Sequence, residues 1–187
     1  RQQWEQIWFG GKTSAKAPAL TAAAPVKTTP AAKGSGNKHF DKERLLALAQ
    51  GKPSSALGPA YERFDDGQFV ARLPRPPYDM IDQADVTSGE PYEVREGSEV
   101  VALFTPKAGS WLFSEAGGEK PALPYAALNE AALQPCGFLA AFMGSALPFD
   151  GPMHFRNLGG RATVLAPVHG GDLMETTARL TRSSRMG

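Results

Sequence analysis

Residues 124–146 read PYAALNEAALQPCGFLAAFMGSA, from Pro124 to Ala146. The stretch is apolar or small on almost every side of a helical wheel, which predicts a helix buried on all faces rather than one laid on a surface. A carboxylate, Glu130, and its i+4 neighbour Gln134 interrupt it. An ionisable group inside such a helix is costly unless paired, so these two are the candidate functional residues. Pro124 suits the first helical turn. Pro135 removes one backbone hydrogen bond inside the helix and predicts a kink. Ala131, Ala132, Gly137, Ala140, Ala141 and Gly144 are small enough for a sheet to approach closely.

Around this helix the periodicity turns to two. Residues 69–73 (FVARL), 78–86 and 97–105 (GSEVVALFT) precede it and read as strands, with Pro74-Arg75-Pro76-Pro77 forcing a corner after the first. Residues 153–166 and 172–182 follow it and alternate as strands, with Gly159-Gly160 as a bulge. Residues 41–50 (DKERLLALAQ) predict an amphipathic helix, with Asp41 as N-cap and Gly51 ending it. The order is strands, one long buried helix, then antiparallel strands. It predicts an α+β fold in which a sheet wraps around a single helix. Nothing in the sequence follows strand 172–182 to pair with it, so one or two closing strands are expected to be missing.

The N-terminal part differs in kind. Residues 1–9 hold Trp4, Ile7, Trp8 and Phe9 and read as the end of a preceding module. Residues 10–37 are almost all Ala, Pro, Lys, Thr, Ser and Gly, the composition of a flexible linker. Residues 38–187 form the folded domain. Residues 1–38 carry six Lys/Arg against one Glu, leaving 14 basic and 18 acidic residues to the rest, a net of about −4. A mildly acidic body argues against nucleic-acid binding. The single cysteine, Cys136, excludes an internal disulfide framework and fits a reducing, cytoplasmic compartment. No apolar run is long enough for a membrane span. The three histidines show no metal-ligand spacing with Cys136 or with each other.

Four strings carry a resemblance: Leu73-Pro-Arg-Pro-Pro-Tyr-Asp-Met-Ile-Asp82; Trp111-Leu-Phe113; Leu123-Pro-Tyr-Ala-Ala-Leu-Asn-Glu-Ala-Ala-Leu-Gln-Pro-Cys-Gly-Phe138; and Phe155-Arg-Asn-Leu-Gly-Gly160. From about Phe40 onward the chain resembles the dehydratase region of polyunsaturated fatty acid synthases, iterative multienzymes related to polyketide synthases. The resemblance implies a hot-dog fold, an antiparallel sheet wrapped around one helix. More distantly, the helix is similar to that of stand-alone 3-hydroxyacyl-ACP dehydratases, whose motif places an acid near the helix start and a Gln one turn later. Set on Pro124, the acid falls on Glu130 and the Gln on Gln134. Two departures stand out. No His lies in 106–124, where that family carries its base, and Tyr125 replaces the family's Gly.

Dehydration of a 3-hydroxyacyl thioester needs a base for the C2 proton, usually His, and an acid for the departing C3 hydroxyl. Helix N-terminal amides polarise the thioester carbonyl, a site that Tyr125 would crowd. The resemblance therefore implies half of a double hot dog. A second hot-dog domain would supply the His. An acyl carrier protein would bring the phosphopantetheine-linked acyl chain, and the full synthase would be a homodimer. Glu130 is then the acid or a structural relic, and Gln134 orients it, binds a water or satisfies backbone freed by Pro135. No cofactor is implied. The alternative is a non-catalytic scaffold that shapes the dimer and docks the carrier protein; a hot-dog thioesterase fits the flanking motifs less well. The remaining candidates carry bland expectations. His39 is inert at the linker exit, His154 is structural on a strand and His169 is solvated in a turn. Cys136 is a packed small residue. Trp111 and Phe113 cover the helix or line an acyl tunnel.

Overall fold

The computed structural model describes residues 38–113, 120–157 and 159–183. The expected preceding module and linker at 1–37 lie outside them. Four strands form one antiparallel sheet in the order β1-β2-β3-β4: β1 His39–Phe40, β2 Gln83–Ser88, β3 Glu99–Phe104 and β4 Met174–Arg179. The register sets Phe40 opposite Ala84, Ala84 opposite Ala102, and Val100 opposite Ala178. Side chains alternate across a strand, so these residues share one face, and all of them are buried. Three of them are alanines, which leaves room for a helix against the sheet.

That helix is α3, Tyr125–Phe142, introduced after α1 (Lys42–Gln50) and α2 (Pro53–Leu57). Phe138 and Phe142 meet Phe40 edge-on at 4.7 and 6.0 Å between ring centroids. The C-terminal end of α3 is closed by two bonds, Gly144 N–H to the Ala141 carbonyl (2.9 Å) and Ser145 N–H to the Ala140 carbonyl (3.1 Å). This is a Schellman arrangement. Gly144 has a φ of 71°, and a Cβ there would lie 2.7 Å from Leu147 Cδ1 and 3.0 Å from Tyr92 Cα. The position requires glycine.

The helices α1 and α2 contribute Leu45, Leu48, Ala56 and Leu57 to this core. Asp41 caps α1 by accepting the Arg44 N–H at 2.9 Å, and Gly51 follows its end, both as the sequence predicts. The fully buried Tyr61 donates its hydroxyl to the Ala141 carbonyl, and burial pushes its pKa up.

Four expectations need correction. Residues 69–73 are not a strand, although Val70, Ala71 and Leu73 are buried. Arg72 donates to the Gly51 and Phe64 carbonyls across this stretch, and among the described residues no strand pairs with it. The expected strand 78–86 begins only at Gln83, because the backbone at Tyr78 and Met80 bonds to a helix side chain instead of a ladder. Residues 153–157 and 159–166 form no strand, and so Gly159-Gly160 marks no bulge. Val164 and Leu165 are 52% and 80% exposed, with no layer over them among the described residues. Finally, α3 is not buried all round. The four-stranded sheet covers one side of it, and Tyr125, Ala126, Ala132 and Cys136 are exposed.

Candidate functional site

The uncovered side of α3 forms one wall of a cavity of about 470 Å³. Leu133, Cys136, Gly137 and Ala140 make its apolar floor, and Glu130 stands among them. Leu73 and Pro74 form a second wall, and the irregular segment Phe155–Asn157 crosses the top. Phe155 reaches within 3.5 Å of where a Gly137 Cβ would sit, so the glycine lets that segment lie close. Arg72 and Arg156 also line the cavity, with the Arg72 guanidinium bonded to the Gly51 and Phe64 carbonyls. A carboxylate beside an apolar floor suits a chain-like substrate with a polar end.

Gln134 is the most constrained polar group here. It is 5% exposed. Its Oε1 accepts the Met80 N–H at 2.7 Å, and its Nε2 donates to the Tyr78 carbonyl at 2.8 Å and to Glu130 Oε1 at 3.1 Å. Both amide protons and the amide oxygen are thus used, the condition for burying such a group without penalty. The structure brings Glu130 and Gln134 together as the i+4 spacing predicts. It also gives Gln134 a second task that the spacing could not reveal, since its backbone partners lie 56 and 54 residues away.

Cys136 is not packed away as expected. It is exposed on the open side of the helix, with its thiol 3.6 Å from the Ala132 carbonyl. Desolvation by the surrounding walls pushes its pKa up, which disfavours the thiolate and a nucleophilic role. Tyr125 stands half exposed at the helix start and does not line the cavity. Phe113 is buried with Met80, Leu123 and Ala127, whereas Trp111 is half exposed. Trp111 stacks on Tyr78 at 5.6 Å and donates to the Pro77 carbonyl at 3.1 Å. Neither lines the cavity with Glu130.

No histidine lines this cavity among the described residues. The His154 ring lies against Phe69, tilted, with 4.5 Å between ring centroids. His39 lies on the outer face of the sheet, where its Nδ1 is 2.6 Å from Asp85 Oδ1; Asp85 Oδ2 also accepts from Gln83 Nε2 at 2.7 Å. It is a paired residue, which sequence reasoning missed because the partner is set by sheet register. His169 Nδ1 lies 3.1 Å from the Pro121 carbonyl, in a turn joined to the segment that leads into α3. Among the described residues no group of three His, Cys, Asp or Glu side chains could hold a metal ion, and no helix is long and apolar enough to cross a membrane.

No family model matches the chain, and no curated protein matches it in sequence.

Proposed function

We propose that this chain is the acid-bearing half of a 3-hydroxyacyl thioester dehydratase of the hot-dog type, within a multienzyme that makes polyunsaturated or polyketide-like acyl chains. The single observation that carries the reading is Glu130 held by Gln134 at the wall of an apolar cavity beside the long helix. The antiparallel sheet laid against that helix is compatible with it. In the proposed reaction a histidine of a second hot-dog domain removes the C2 proton. The C3–O bond breaks as Glu130 protonates the departing hydroxyl, and water and a 2-enoyl thioester result. Leu133, Gly137 and Ala140 would carry the acyl chain delivered by an acyl carrier protein.

The test is turnover of a 3-hydroxyacyl thioester by this chain joined to the histidine-bearing domain. Glu130→Gln keeps the hydrogen bond to Gln134 and removes the proton source, so a fall of about 100-fold or more is expected for loss of a general acid. Unchanged turnover would remove Glu130 from the chemistry. That outcome favours the scaffold reading, for which there is also a specific observation. Gln134 spends two of its three hydrogen bonds on the backbone at Tyr78 and Met80, so the Glu130–Gln134 pair also serves packing.

A further inference from the structure

A second cavity, of about 420 Å³, lies away from Glu130 and is lined by His169, Lys120, Asp172, Ala108, Gly109 and Gly170. His169 is fixed there by its own backbone and its ring. Its N–H donates to Asp172 Oδ2 at 2.8 Å, and the Asp172 N–H returns a bond to the His169 carbonyl at 3.1 Å. A carbonyl only accepts, so the ring nitrogen facing Pro121, Nδ1, carries the proton, and Nε2 is left without a partner among the described residues. The surrounding loops are locked to one another. Leu123 N–H bonds the Val168 carbonyl at 2.7 Å, and Gly171 N–H bonds the Pro106 carbonyl at 2.8 Å. A Cβ on Gly170 would lie 2.5 Å from Ala108 Cα, so only glycine permits that approach.

The balance of polar groups in this cavity favours donors. The Lys120 ammonium makes no salt bridge or hydrogen bond among the described residues, and the amides of Ala108, Gly109 and Gly170 have no acceptor among them. The one carboxylate among the described lining residues, Asp172, spends an oxygen on the His169 amide. We propose that this cavity binds a small oxyanion, with Lys120 as the counter-charge and His169 Nε2 as the orienting group. When the ring is protonated, Nε2–H donates to the anion; when it is neutral, Nε2 accepts the hydroxyl of a monoprotonated phosphate. A phosphate group therefore satisfies the site in either state, whereas a carboxylate does so in one.

Titration of the 15N-labelled chain with inorganic phosphate, and separately with acetate, tests this with ionic strength held constant by sodium chloride. Saturable shifts confined to the Ala108, Gly109 and Gly170 amides and the His169 ring are expected, with phosphate the tighter ligand. Acetate binding more tightly at the same residues would assign the site to carboxylates within the same class. Lys120→Gln should weaken binding about tenfold, the loss expected of one charge-assisted contact. Asp172→Asn keeps an acceptor for the His169 amide while removing the opposing charge, so it should tighten binding. Absence of saturation, equal affinity in Lys120→Gln, or shifts scattered over the surface would overturn the proposal. Lys120 is exposed, so its variant remains readable if Asp172→Asn fails to fold.

Discussion

The two sides of α3 are both largely apolar and have opposite fates. The side carrying Phe138, Leu139 and Phe142 is sealed against the sheet, with Phe40, Val100 and Ala178 among its neighbours in one core. The side carrying Leu133, Cys136, Gly137 and Ala140 opens on a cavity crossed by an irregular segment. Hydrophobicity along the helix does not tell these sides apart. What does is whether a hydrogen-bonded layer lies opposite. The sheet supplies one to the first side, while residues 153–157 pass over the second without forming a ladder. A helix apolar all round need not be wrapped all round.

Substitutions sharpen this contrast. Phe138→Ala should cost about 3–5 kcal/mol, because the ring is wholly buried and its loss leaves a cavity against Phe40; equilibrium urea unfolding measures it. Gln134→Ala should cost about 1–3 kcal/mol by orphaning the Met80 amide and the Tyr78 carbonyl. Hydrogen exchange at Met80 should accelerate in that variant while exchange in β3 follows only the global loss. On the open side the sign reverses. Gly137→Ala places a methyl at ordinary contact distance from Phe155 and should stabilise by up to about 1 kcal/mol through helix propensity. Destabilisation instead would mean that the crossing segment seals the cavity as tightly as the sheet seals the other side. The smallest effect is chemical. The raised Cys136 pKa means less thiolate at a given pH, so iodoacetamide should alkylate it more slowly than a free thiol, with a rate profile displaced to higher pH. A dodecanoyl thioester in the cavity should slow it further.

The parts of the fold that the sequence discloses are those whose signal is local. Asp41 before a periodic run and Gly51 after it bound α1. The apolar length of 124–146 locates α3, and β3 and β4 fall inside the stretches that alternate. The misreadings share a cause. Alternation in 69–73 and 153–166 is a strand signal, but a strand exists only where another offers its backbone, and no local pattern reports that. At the candidate site, the i+4 spacing sufficed to pair Glu130 with Gln134. The pairing of His39 with Asp85 depends on sheet register, and the anchoring of His169 depends on a segment 48 residues away.

The three bonds of Gln134 have a mechanical corollary. Apolar packing sets where α3 lies through Phe138 and Phe142 against Phe40, but it carries no directional bond on the helix's other side. By gripping Tyr78 and Met80 from a point near mid-helix, this side chain adds a directional hold on the azimuth of α3 to that of the aromatic contacts, and so helps to decide which stripe becomes the cavity floor. A change at 134 would redistribute orientations as well as soften the fold, and the carboxylate one turn earlier would lose its aim.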